Sequence, residues 1–142
     1  MPYNQTMLYR AYLKNRNGCP FCHPDGREIA SGKLAYLTYA LAPYSKNHLL
    51  VVPRRHVTSL QNLNAKEKEA INRMIERGAE ILRGLKIKDY TILVRAGASK
   101  SIPHLHYHII PNHRIGDLDR KGKPRTILTS NEVANLKKRL KK

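Results

Sequence analysis

The chain has 142 residues, 41% of them hydrophobic, enough to bury the core of one domain and giving no reason to expect a second. Lysine and arginine outnumber aspartate and glutamate 27 to 10, a formal charge of +17, so anionic partners are expected, phosphate first, alongside the plainer reading of a lysine-rich solvated surface. No run of about twenty apolar residues could span a membrane, and "MPYNQTMLYRAYLKNR" lacks the apolar centre of a secretory signal, so the expected location is cytoplasmic.

The first chemically marked stretch is "NGCPFCHPDG", which holds the only two cysteines, Cys19 and Cys22. In a reducing compartment such a pair favours a metal site or a redox motif over a structural disulfide. No predicted strand precedes the pair, which disfavours a thioredoxin-like unit; an exposed dithiol without metal is the plainer alternative. "KLAYLTYALAP" (33–43) and "HLLVVP" (48–53) read as two strands joined by the polar turn "YSKN", with Pro53 closing the second. In "NLNAKEKEAINRMIERGAEILRGLKI", Asn64 and Glu67 make a capping-box start, and Ile71, Met74, Ile75, Ile81, Leu82 and Leu85 recur at helical spacing. One amphipathic helix over about 65–84 follows, its apolar stripe being core.

"YTILVRA" (90–96) and "PHLHYHII" (103–110) read as further strands around the small-residue loop "GASKS", which would let a ligand approach the backbone. Strands, helix, strands is the order of an α+β domain with an antiparallel sheet. After Pro111 the chain becomes polar and basic, and "TSNEVANLKKRLKK" reads as a terminal helix capped by Thr129 and Glu132. The expectation is a single domain over 1–142 with a basic C-terminal extension from about 112.

In "PHLHYHIIP" three histidines alternate with apolar residues. On a strand His104, His106 and His108 would share one face, and Leu105, Tyr107 and Ile109 the other. A face with three imidazoles is not ordinary core. Neighbours on that face stand about 6.6 Å apart along the backbone, too far for all three to enclose one ion comfortably; one histidine can lean to a metal while the next faces a substrate, with histidines on a wet sheet face and a three-histidine metal site as the alternatives.

"HLHYHII" matches the His-x-His-x-His pattern, followed by two apolar residues, of the histidine triad (HIT) family, and "NHLLVVPRRHV" resembles that family's upstream strand and turn. The resemblance runs from Cys19 to about Pro111. It implies a HIT-like antiparallel sheet of about five strands with one long helix and a C-terminal helix. It also implies a structural Zn²⁺ held as in the zinc-binding branch, by Cys19, Cys22, His56 and His104. His106 would attack the α-phosphorus of a nucleotide and carry a nucleotidyl-imidazole intermediate. His108 would contact the transferred phosphate or the leaving group, and Ser101 would contact phosphate, with Ser99 a close rival because "ASKS" aligns either way and a plain loop serine the alternative for either.

Three departures bear on substrate. Lys100 stands where many members have glutamine and joins the phosphate-binding candidates, Arg95 stands where an asparagine is common, and Ala40 stands where many place an acidic ribose contact. "PYSKNHLLVVPRRHV" and "AGASKSIPHLHYH" look closer to the branch of dinucleoside polyphosphate phosphorylases and hydrolases than to the phosphoramidases. The expected activity is therefore a nucleotide hydrolase or nucleotidyl transferase acting on dinucleoside polyphosphates, phosphoramidates or adenylylated acceptors. Two alternatives stay open. One is a nucleic-acid-directed adenylate hydrolase that grips a polynucleotide with the ten lysines and arginines between Arg114 and Lys142. The other is a non-catalytic nucleotide-binding protein. Members of the family often form homodimers; the sequence marks no dimer surface.

Overall fold

A computed structural model describes residues 8–96, 102–112 and 121–141. In chain order the elements are helix α1 (Tyr9–Asn15), strands β1 (Ala30–Ser31), β2 (Ala35–Tyr39) and β3 (Leu49–Pro53), a 3-10 turn at Leu60–Asn62, helix α2 (Ala65–Gly84), strands β4 (Tyr90–Val94) and β5 (Tyr107–Pro111), and helix α3 (Ser130–Leu140). The strands form one antiparallel sheet in the order β1-β2-β3-β5-β4. This is the expected α+β architecture. β5 runs inside the sheet, with His108 opposite Leu50 of β3 on one side and Leu93 of β4 on the other.

α2 begins where its cap dictates. The Asn64 side chain accepts from the Glu67 backbone N–H at 2.9 Å, and the Glu67 carboxylate accepts from the Asn64 N–H at 3.0 Å. Ile71 and Leu82 carry the buried stripe, packed with Leu37, Leu49, Val51, Leu105 and Ile109 of the sheet. Gly78 sits in mid-helix, where glycine costs about 1 kcal/mol relative to alanine. A Cβ there would lie 2.7 Å from Cδ1 of Ile109, so the missing side chain lets the helix approach the sheet.

The opposite face of the sheet carries a second cluster, Tyr36, Leu50, Val52, Phe21 and Ile102. Alternation along β2 and β3 divides the strands between the two clusters: Leu37, Leu49 and Val51 face α2, whereas Tyr36, Leu50 and Val52 face away. The candidate site lies on this second face.

Several boundaries differ from the sequence reading. The strand expected over 33–43 is ordered as sheet only at 35–39, and the one expected over 103–110 begins at Tyr107. His104 and His106 therefore precede the ladder. The Leu105 N–H donates instead to the Val57 carbonyl at 2.8 Å, in the segment after β3 ends at Pro53. The alternation of faces nevertheless holds, since Leu105, Tyr107 and Ile109 all pack on the α2 side. Helix α1 and the two-residue β1 carry no cap or long pattern and were not foreseen. α3 has the expected Thr129–Glu132 capping box. Ser99, Lys100 and Ser101 lie outside the described residues. Among the described residues no helix is long and apolar enough to cross a membrane.

Candidate functional site

Four side chains from three segments meet on the second face. The donor atoms of Cys19, Cys22, His56 and His104 all lie within 4.8 Å of one another. Nδ1 of His104 is 3.4 Å from the Cys19 sulfur and 3.5 Å from the Cys22 sulfur, and Nδ1 of His56 is 3.2 Å from the Cys22 sulfur. A tetrahedral ion with bonds of ~2.0–2.3 Å would set its ligands roughly 3.3–3.8 Å apart, so the cluster could hold a metal with little movement. Burial and the adjacent Cys19 sulfur keep the Cys22 thiol above its usual pKa.

The turn that brings His56 to this cluster is pinned on both sides by the arginines of "VPRRHV". Arg54 donates to the Gly32 carbonyl, the Ser31 hydroxyl and the Glu28 carboxylate, each at 2.7 Å. Arg55 makes a forked pair with Glu67, Nε to Oε2 at 3.0 Å and Nη2 to Oε1 at 2.7 Å. Glu67 is only 2% exposed, and the Arg55 guanidinium holds its carboxyl below the usual range. The same carboxylate thus caps α2 and tethers the turn that carries His56.

Backbone carbonyls decide what each histidine offers. A carbonyl can only accept, so the ring nitrogen facing it must carry the proton. Nε2–H of His104 donates to the Pro53 carbonyl at 2.7 Å, which turns the lone pair on Nδ1 toward the two sulfurs. Nδ1–H of His106 donates to the His104 carbonyl at 2.8 Å, which places its lone pair on Nε2. His104 therefore acts twice, its ring facing the metal cluster and its carbonyl fixing the tautomer of the next histidine.

His108 is set by His48, to which the sequence reading assigned no role. The Tyr44 backbone N–H donates to Nδ1 of His48 at 3.2 Å, so in the neutral ring the proton of His48 is on Nε2. That proton faces Nδ1 of His108 at 2.9 Å, which leaves His108 protonated on Nε2. His48 is 3% exposed. It immediately precedes β3, where Leu49 pairs with Ile109, so it meets His108 as a diagonal cross-strand neighbour. Its signal in the sequence was its alternation with Leu50 and Val52, which only the strand register could convert into a contact.

Burial, together with His106, His48 and Arg95, pushes the His108 pKa down to about 3. At neutral pH His108 is therefore an uncharged donor. Rings of His106 and His108 stand 4.8 Å apart, and Phe21, from within the Cys-x-x-Cys turn, lies 4.8 Å from the His106 ring. These groups line one cleft, partly open to solvent, together with Tyr44, Arg95 and Ala40. The structure therefore separates the sequence candidates into a metal-type cluster and a cleft containing His106 and His108. Of the remaining candidates, Arg95 lines the cleft near His108, while the serines and Lys100 are not described.

Comparison with known proteins bears on the family and the fold. The AP-4-A phosphorylase of Mycobacterium tuberculosis is 29% identical over 91 residues, covering 61% of this chain; the chain spans 47% of that protein's length. An adenosine 5′-monophosphoramidase of Schizosaccharomyces pombe is 29% identical over 100 residues, 66% of this chain and 73% of that protein. Among solved structures, the histidine triad nucleotide-binding protein of Candida albicans superposes with a TM-score of 0.67 at 20% identity, covering 87% of this chain and 94% of that one; at this identity the likeness concerns the fold. The family description "HIT domain" matches residues 25–115, the span that holds both the "HLLVVPRRHV" turn and the triad, and the chain belongs to that family.

Proposed function

We propose that the protein is a nucleotide hydrolase or nucleotidyl transferase that acts at an α-phosphorus through a nucleotidyl-His106 intermediate. The observation that carries this reading is the hydrogen bond from Nδ1–H of His106 to the His104 carbonyl, which puts a lone pair on Nε2 of a ring lining the cleft. In the first step that lone pair forms the P–N bond as the bond from phosphorus to the leaving group breaks. The imidazole becomes cationic, and the His104 carbonyl, already accepting from Nδ1–H, stabilises that charge. Water, or another acceptor, then attacks phosphorus, the P–N bond breaks, and neutral His106 is restored.

His108 supports both steps as a neutral donor. Its Nε2–H, directed by His48, stabilises charge that grows on a phosphate or leaving-group oxygen. Arg95 adds a cation on the same side of the cleft, consistent with a substrate bearing more than one phosphate. Dinucleoside polyphosphates fit that description and agree with the activity for which the phosphorylase relative is named.

The metal is read as structural Zn²⁺ held by Cys19, Cys22, His56 and His104. Two thiolates and two imidazoles are a donor set that zinc favours, and four protein ligands leave it no open position for chemistry. Bound there, the ion would lock the His104 ring and, through the same residue's carbonyl, the orientation of His106. The segment beyond residue 112 is read as a basic extension of a single domain.

The test is to mix the protein with α-labelled ATP or diadenosine tetraphosphate and quench during turnover. A labelled protein adduct, absent in His106→Ala, is expected. No adduct and no turnover across a nucleotide panel would overturn the reading.

A further inference from the structure

Helix α1 lies outside the span that matches the HIT domain, residues 25–115, yet it forms part of the cleft. Tyr9 and Tyr12, three residues apart on one helical face, both line the cleft that contains His106 and His108. Their rings are nearly parallel, 15° apart, with centroids 6.1 Å from each other. α1 has no side-chain cap and no acidic residue in its first turn, so its sequence alone does little to hold it. What docks it is Leu13, packed on the cluster of Phe21, Tyr36, Leu50, Val52 and Ile102 that floors the site face.

A second feature of the cleft points the same way. Ala40 lines it, and no carboxylate is among the described residues that do. A nucleoside bound there would find aromatic surface where a ribose diol would otherwise be held by an acid. Stacking is tolerant of sugar and of base identity, because it engages the π-face of the base.

We infer that α1 is a specificity element of this chain, in which Tyr9 and Tyr12 stack against the base of the bound nucleotide and supply the nucleoside affinity that ribose hydroxyls do not. The inference deepens the nucleotide reading of the cleft and rests on it. The ligand class follows: purine nucleotides are held best, because their larger π-face stacks more strongly, and 2′-deoxy forms are held nearly as well as ribonucleotides. Phosphate recognition by His108 and Arg95 is a separate contribution, so the two ends of the ligand can be tested independently.

The experiment measures binding of AMP, 2′-deoxy-AMP, CMP and ribose 5-phosphate to the metal-loaded full chain by calorimetry. In the parent protein AMP binds more tightly than CMP, and 2′-deoxy-AMP lies within about threefold of AMP. Tyr9→Leu with Tyr12→Leu, which keeps apolar bulk on the helix but removes the rings, weakens AMP roughly ten- to a hundredfold and leaves ribose 5-phosphate unchanged. Tyr9→Phe with Tyr12→Phe retains AMP affinity, because stacking needs the ring and not the hydroxyl. Unaltered AMP affinity in the leucine pair, or a tenfold or greater preference for ribose over deoxyribose, overturns the inference while leaving the nucleotide reading intact. Failure of the parent protein to bind AMP or to form any nucleotidyl adduct removes both.

Discussion

The stretch from His104 to His108 contains two sites built from one side-chain type. At its N-terminal end His104 ties Nε2 to the Pro53 carbonyl and turns Nδ1 to the sulfurs of Cys19 and Cys22. Two residues later His106 ties Nδ1 to the His104 carbonyl and turns Nε2 to the cleft. The difference shows that the role of each histidine is set by which ring nitrogen meets a carbonyl, and residue type and spacing do not decide it. The metal end is also braced from outside, by Arg54 to β1 and its flanks and by Arg55 to Glu67 at the start of α2. The cleft end is braced from within the sheet, by His48.

Substitutions that strike one end while sparing the other would sharpen or break this division. The largest effect on chemistry is expected from His106→Ala, which should lower turnover by ~10³-fold or more and leave one metal per chain, measured by steady-state rates and elemental analysis. Cys19→Ser should do the reverse in order of cause. Metal content should fall well below one per chain and thermal stability by several kcal/mol, because metal binding free energy is folding free energy at such a site. Residual turnover in that variant would track the fraction that stays folded.

His48→Ala should be milder, with kcat down roughly 10–10²-fold, no loss of metal and little change in nucleotide affinity. Removing the Nε2–H of His48 lets His108 take the other tautomer and withdraw its donor from the cleft. His48→Gln, whose amide N–H can face Nδ1 of His108, should recover part of the rate. An equal loss in both variants would mean that His48 acts through packing alone.

The smallest effect concerns pH. The folded His108 pKa, near 3, lies below the ordinary value of about 6.5. Between those values the unfolded chain binds a proton that the folded chain refuses, so stability is full above about pH 6.5 and falls as the pH drops toward 3, by an amount that solvent screening of the partly exposed ring keeps small. Denaturant unfolding between pH 7 and 5 should show this slope, and His108→Asn should flatten it. The lowered Glu28 and Glu67 carboxyls contribute only at more acidic pH, below the ordinary carboxyl value of about 4.3.

The sequence was legible where a local signal was complete. Asn64 and Glu67 announced the start of α2, and Thr129 with Glu132 announced α3, because a capping box is written in four consecutive residues. It was less legible where tertiary contacts decide. α1 is held by Leu13 on the sheet and has no cap to announce it. β5 starts at Tyr107 because Leu105 bonds to Val57 beyond the end of β3, a partner no periodicity reveals. At the site, the family resemblance supplied the four residues that cluster as a metal-type set, while His48 and Tyr44 depended on a strand register and a turn. Ala40 could be read as a departure from pattern, but Tyr9 and Tyr12, which line the same cleft, could not be connected to it.

If the His104 carbonyl selects the reacting nitrogen, the bond to phosphorus forms at one defined atom. Protein labelled with ¹⁵N-histidine, mixed with α-labelled diadenosine tetraphosphate and trapped, can be read by phosphorus–nitrogen coupling in NMR and by fragmentation of the peptide carrying residues 103–111. One nucleotidyl group is expected, on Nε2 of His106. A bond to Nδ1 of His106, a bond to His104 or His108, or turnover with no nucleotidyl-histidine at all would contradict it.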